Sequence, residues 1–406
     1  MKPIYLDHHA TTPMDSRVLE AMLPFFTEKF GNAASKTHLY GREAEEAVEE
    51  SRARVATLLN ADPREIIFTS GATESDNLAI KGVAESYGKR DRHVITAQTE
   101  HRAVLDSCRF LEERGFQVTY LPVDSGGLVD LEQVRKAITV KTLLVSLMFA
   151  NHEIGTLQDI AAIGRIAKER GVFFHCDATQ GVGKEPIDVE ALGIDLLSLS
   201  GHKIYGPKGV GALYVRRKNP RVRLAPIFHG GGHERTLRSG TLNVPAIVGL
   251  GEACEIARAE MDTERERLLN LRDQLQACIQ ANLEGVRLNG HPARRLAGNL
   301  NLSFSGIQGA KLLPNLSSDL AVSSGAACTS AVPEPSYVLK AIGVPLDLML
   351  ATLRIGVGRF TTEDEIQRAG DKIVKAVKDL QSKRVLSQAE PAHCAAPSGR
   401  GPFQPN

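Results

Sequence analysis

Between residues 65 and 215 the chain alternates short apolar runs with longer amphipathic stretches, and no other feature constrains the fold as much. The runs EIIFT (65–69), HVITA (93–97), TLLVSLMF (142–149), GVFFHC (171–176) and IDLLSLS (194–200) have the length and continuous apolarity of buried strands. Between them, segments such as GATESDNLAIKGVAESYG and LQDIAAIGRIAKERG carry apolar residues at helical spacing. Strands alternating with helices imply an α/β fold with a mostly parallel sheet covered on both faces. Ligands of such sheets bind outside the carboxyl ends of the strands, so the polar residues that follow each run are the candidates for chemistry.

Beyond about residue 245 the pattern changes. IARAEMDTERERLLNLRDQLQACI reads as a charged amphipathic helix leading out of the first domain, and shorter strands and helices follow to about 383. The expected division is a large domain over 15–258, a small domain from 1–14 and 259–385, and a disordered Pro/Ala/Gly/Ser-rich tail over 386–406. A net charge of +1 gives no general field for direct nucleic-acid or anionic-membrane binding. MKPIYLDHHATTP lacks the apolar core of a signal peptide, and no run is long enough to cross a bilayer, so a cytoplasmic location is expected. The six cysteines (Cys108, Cys176, Cys254, Cys278, Cys328 and Cys394) show no C-x-x-C pair, which argues for reduced thiols over a disulfide framework or structural zinc site. Cys278, in LQACIQANL, reads as a buried thiol.

The chemistry gathers at strand ends. In LSLSGHKIYGPKG (197–209) an apolar run stops at Ser200-Gly201-His202-Lys203, and in FHCDATQGVGK (174–184) another stops at Asp177. A lysine able to form a Schiff base, with a carboxylate for a pyridinium nitrogen, is the pair that pyridoxal 5'-phosphate (PLP) requires. TSGATESDNLAI (69–80) is strand, turn and helix, so Ser70, Gly71, Ala72 and Thr73 could offer anion donors, or Ser70 or Thr73 could simply cap the helix. Ser200 and His202 add phosphate donors beside Lys203. His101, in TEHRAVLD, is placed either to lie over a ring and exchange protons or to cap the next helix. Gln180 could donate to a ring hydroxyl, and Asn151, His152 and Glu153 in FANHEIGTLQDI could reach the same pocket. HGGGHERTLRSGT (229–241), with Arg235, Arg238 and Thr241, reads as a Gly-rich loop. Cys328 lies in the small-residue stretch AVSSGAACTSAVPEPSYVL, where an exposed thiol could be a nucleophile or an inert small residue. Arg354, in ATLRIGVGR, calls for an anionic partner, and a substrate carboxylate would match its fork.

Taken together these segments resemble the class V, fold-type I PLP enzymes, and specifically the cysteine desulfurases of the IscS/NifS group. The resemblance runs from YLDHHATTP (5–13) to about residue 383, with TSGATESDNLAI, TEHRAVLD, DATQGVGK, SGHKIYGPKG, HGGGHERTLRSGT and SSGAACTS in the family's order. It implies a mostly parallel seven-stranded sheet plus a smaller α+β domain. It also implies that Lys203 holds PLP, Asp177 faces the pyridine nitrogen, His101 stacks on the ring and Gln180 meets its hydroxyl. Ala72, Thr73, Ser200 and His202 would bind the phosphate, His152 would approach the ring, and Thr241 would reach the phosphate site of a second subunit in a homodimer. Asn32 and Arg354 would hold the substrate, L-cysteine. Cys328 would accept its sulfur as a persulfide, leaving L-alanine, and could serve as a transient iron–sulfur ligand. The sulfur would pass to an iron–sulfur scaffold or another acceptor protein. Where the family commonly has two asparagines, this chain reads Asn151-His152, and its tail does not resemble the family's scaffold-docking tail.

Overall fold

The computed structural model describes residues 2–88, 92–324 and 335–389. The chain enters through a two-residue strand, β1 (Ile4–Tyr5), and then builds the main sheet. Its strands are β2 (Ile66–Thr69), β3 (His93–Ala97), β4 (Gln117–Leu121), β5 (Thr142–Ser146), β6 (Phe173–Asp177), β7 (Leu196–Ser200) and β8 (Gly211–Val215). Their order is β2-β8-β7-β6-β5-β3-β4, and β8 alone runs against its neighbours. Five of the seven coincide with the apolar runs, although the ladder of β5 stops at Ser146 rather than 149. β4 and β8 carried no expectation.

Alternation along these strands feeds two apolar layers. Ile66 and Phe68 of β2 and Ala212 and Tyr214 of β8 enter one cluster, whereas Ile67, Leu213 and Val215 enter the other. Burial on both faces is why these strands read as unbroken apolar runs. The helices before and within this region are α1 (Ser16–Met22), α2 (Pro24–Thr27), α3 (Leu39–Leu59), α4 (Ala72–Tyr87), α5 (Arg102–Glu112), α6 (Leu131–Ala137) and α7 (Ile160–Arg170). The next, α8 (Val244–Asn282), is one 39-residue helix. Its first part, from Val244 to Ile256, packs into the large core, and Leu268, Leu271, Leu275 and Ile279 pack into a separate cluster. The boundary expected between 258 and 259 falls inside this helix, between those two sets of contacts.

The second cluster belongs to an antiparallel sheet of β9 (Val286–Leu288), β10 (Asn299–Phe304) and β12 (Thr352–Gly356), with β10 in the middle. β11 (Leu320–Ala321) pairs in parallel with β1, which ties the first residues of the chain to this second sheet. The C-terminal helix spans Glu363–Ala389, so it reaches four residues into the expected tail, whose remainder lies outside the described residues. Cys278 corrects another expectation. It is only half-buried, beside Gly370 of the C-terminal helix at the margin of the second core, whereas Cys108, Cys176 and Cys254 are buried. No described helix is long and apolar enough to cross a membrane.

Candidate active site

The carboxyl ends of β2, β6 and β7, and the turns after β3 and β5, surround a cavity of about 730 Å³. Its lining includes Ala72, Thr73, His101, His152, Asp177, Gln180, Ser200, His202, Lys203 and Arg354. Ten expected residues, spread over nearly 300 positions of sequence, therefore meet at one place.

Lys203 ends a short 3-10 turn directly after β7. Its Nζ donates to His9 O (2.6 Å) and Ala10 O (2.7 Å), carbonyls of the N-terminal segment. Burial, reinforced by the charges of Lys184 and Arg354, lowers its ammonium to about 7, so near neutral pH much of it is a free nucleophilic amine. Asp177, the last residue of β6, is buried, and its Oδ1 accepts the Thr179 N–H (3.0 Å) in a local turn. Gln180 spends one amide N–H on His9 O (2.9 Å), while its Oε1 accepts from Lys184 Nζ (3.1 Å).

His101 caps the next helix and also stands on the cavity wall. Its Nδ1 accepts the Ala103 N–H (3.2 Å) as the cap of α5, and its ring also lines the cavity, edge-on to His152 at 5.3 Å. That cap bond leaves the hydrogen of the neutral ring on Nε2. Desolvation lowers the His101 pKa against the opposing pull of Asp177, with Lys203 adding to the lowering. Desolvation also drives His152 well below its ordinary value, followed by His101, Arg354 and Lys203. His202 is held to about 4 by desolvation and then by Lys203, Lys208 and Lys184, and its Nδ1 faces Thr11 Oγ1 at 3.1 Å.

At the β2–α4 turn, Ser70, Gly71, Ala72 and Thr73 form one wall of the cavity at the N-terminus of a 16-residue helix. First-turn N–H groups there have no intrahelical acceptor and favour an anion. Glu74 joins this turn: it accepts the Ser70 N–H (2.8 Å) and pairs with Arg238 (2.9 Å). Burial, which would raise its pKa, is outweighed by those two donors.

Several expected residues lie elsewhere. Asn151 is buried away from the lining, accepting the Glu153 and Ile154 N–H groups and donating to Thr99 O, because it closes the turn after β5. Glu153 bonds Ser336 (2.8 Å) instead of facing the cavity. Asn32 is exposed, its Oδ1 taken by the Ala34 N–H (3.0 Å), and it is not on the cavity of its own chain. Thr241 is exposed and also off that cavity. Cys328 lies outside the described residues, and no cluster of His, Cys, Asp or Glu able to hold a metal occurs among the described ones. Sequence reasoning missed His9, Ala10 and Thr11, which reach the site from a segment with no strand-end signal.

Four polar atoms on the cavity residues, His9 Nε2, His152 Nδ1, Thr179 Oγ1 and Arg354 Nε, are buried without a hydrogen-bond partner among the described residues. Such groups are costly unless a polar ligand satisfies them. An amine, a carboxylate and an anion cup around one cavity suit a phosphorylated pyridine aldehyde.

A family model described as aminotransferase class-V matches residues 4–369, and the chain belongs to that family. Within it, the chain is 55% identical over 379 residues to a cysteine desulfurase IscS of Rickettsia felis, covering 93% of this chain and 92% of that protein. Among solved structures, a NifS-like protein aligns with a TM-score of 0.87 at 40% identity, covering 94% of this chain and all of that one. Another, described as SspA in complex with cysteine, aligns with a TM-score of 0.78 at 38% identity, over 89% of this chain and all of that one.

Proposed function

We propose that this protein is a PLP-dependent cysteine desulfurase. It takes sulfur from L-cysteine, releases L-alanine and receives the sulfur on Cys328 as a persulfide. The observation that carries this reading is the convergence of Lys203, Asp177 and Arg354 on one cavity, in a chain similar to cysteine desulfurases along nearly its whole length.

Bound PLP supplies an electron sink for the bonds at the substrate α-carbon. Lys203 would attach it through an amine that burial leaves in good part unprotonated near neutral pH, and the carbonyls of His9 and Ala10 fix where that amine points. Asp177 offers a buried carboxylate to a protonated ring nitrogen, and Gln180 lies on the same wall. The β2–α4 turn with Ser200 and His202 takes the phosphate. Arg354 holds the substrate carboxylate through its planar fork. His101, whose Nε2 carries the hydrogen of the neutral ring, would stack on the bound cofactor, and His152, edge-on to it at 5.3 Å, stands where an asparagine is common. In the net reaction the substrate Cβ–S bond breaks and a bond forms between that sulfur and the Cys328 sulfur. One hydrogen ends on Cβ of alanine and one on the persulfide, so no external oxidant is needed.

The protein works as a homodimer in the cytoplasm and hands its sulfur to an iron–sulfur scaffold or another acceptor protein. Exposed Phe26, Phe30 and Leu39, at 56%, 63% and 60%, support a second copy covering the surface of α2 and the start of α3. Single-turnover reaction with L-cysteine tests the reading. Intact protein is expected to yield alanine and a persulfide mapped to Cys328, whereas Cys328→Ala binds cysteine without releasing sulfur. If the variant turns over like the parent, Cys328 is a bystander and a lyase or transaminase is the better description.

A further inference from the structure

Arg354 is not free in the wall of the cavity. Its Nη2 donates to Asp7 Oδ1 at 2.9 Å, and the two side chains are only 14% and 17% exposed. Asp7 is equally committed on its other oxygen, where Oδ2 accepts from Ser323 Oγ at 2.7 Å. Backbone bonds complete the arrangement. Arg354 N–H donates to Ser323 O (2.7 Å), Ser323 N–H donates to Arg354 O (3.2 Å), and Asp7 bridges to Gly356. Arg354 Nη1 reaches towards His152 O at 3.4 Å, and Nε has no partner among the described residues. A guanidinium has five N–H donors, so one bond to Asp7 fixes its orientation while others stay unspent.

Asp7 therefore occupies a defined position. It comes from the N-terminal segment, whose neighbours His9 and Ala10 hold Lys203. It grips the carboxylate-binding arginine, and it is braced by Ser323, which follows β11. A long arginine side chain left alone loses rotamer entropy on binding a ligand, and a fixed one does not.

We infer that Asp7 is the positioning residue of the carboxylate subsite, holding Arg354 in its ligand-ready orientation with Ser323 as the brace. This rests on the reading of Arg354 as the carboxylate contact, and the test separates the two.

The PLP-loaded full-length protein is titrated with L-alanine and with ethylamine, which differ only by the carboxylate, and binding is followed by the change in the cofactor's visible spectrum. Asp7→Ala is expected to weaken L-alanine binding about tenfold, the scale of one charge-assisted hydrogen bond, and to leave ethylamine binding unchanged. Asp7→Asn, which keeps the size and one acceptor, is expected to recover part of the loss. It also replaces the alanine variant if that variant does not fold. Equal weakening of both ligands means a general structural role and overturns the inference, as does no effect on either. Arg354→Ala provides the separation. If it weakens L-alanine binding and Asp7→Ala does not, only the positioning role fails. If Arg354→Ala has no effect, the assignment of Arg354 fails, and the role of Asp7 fails with it.

Discussion

Around Lys203 the backbone carbonyls of His9 and Ala10 accept its N–H bonds, yet burial and the nearby cations still disfavour its charge. The unfolded lysine titrates near 10.5 and the folded one at about 7. Between those values the unfolded chain carries a proton that the folded chain does not, so stability rises with pH across that window. Below about 7 both states are protonated and the folded state bears the cost of a buried ammonium. In cofactor-free protein, the stability of the parent relative to Lys203→Met should therefore increase from pH 7 towards 10, read by urea unfolding at each pH. A flat difference would mean that the amine is not perturbed. Lys203 and Asp177 were legible in the sequence because each directly ends an apolar run. Asp7 was not, since its partner Arg354 lies 347 residues away and nothing local marks the pair.

The turn between β2 and α4 works as an element because Gly71 has φ +148°, a conformation that L side chains rarely adopt. A Cβ there would meet nothing closer than Ser200 Oγ at 3.7 Å, so the obstacle is backbone strain rather than space. Gly71→Ala is expected to cost about 1–3 kcal/mol of stability and to loosen the anion cup. Equilibrium unfolding and titration of the apo-protein with PLP would both register it, and an unchanged PLP affinity would remove the turn from the phosphate site. The strand–helix alternation around this turn could be read from sequence, since long apolar runs buried on both faces leave a strong signal. β4 could not, because QVTYL at the sheet edge is largely half-exposed and mixes polar with apolar residues. β8 is buried, but its antiparallel return directly after β7 breaks the strand–helix rhythm that identified the others.

For the molecule as a whole, α8 joins two cores, and the N-terminal segment crosses back between them to complete the cavity. The apolar surface at Phe26, Phe30 and Leu39, with Asn32 beside it and Thr241 also exposed, is what a second subunit would cover. Phe30→Asp should raise the dimer dissociation constant about tenfold or more while leaving the monomer fold intact, as measured by sedimentation and circular dichroism. An unchanged dimer would place the interface elsewhere. Sequence alone determined the class of fold and most of the cavity wall, because apolar runs buried on both faces and the polar residues at their ends are local signals. Only the tertiary structure decided that His9, Ala10 and Asp7 share the site and that Asn151 and Glu153 do not. Those choices depend on where distant segments pack and on which neighbours satisfy each buried polar group, and neither is written in local spacing.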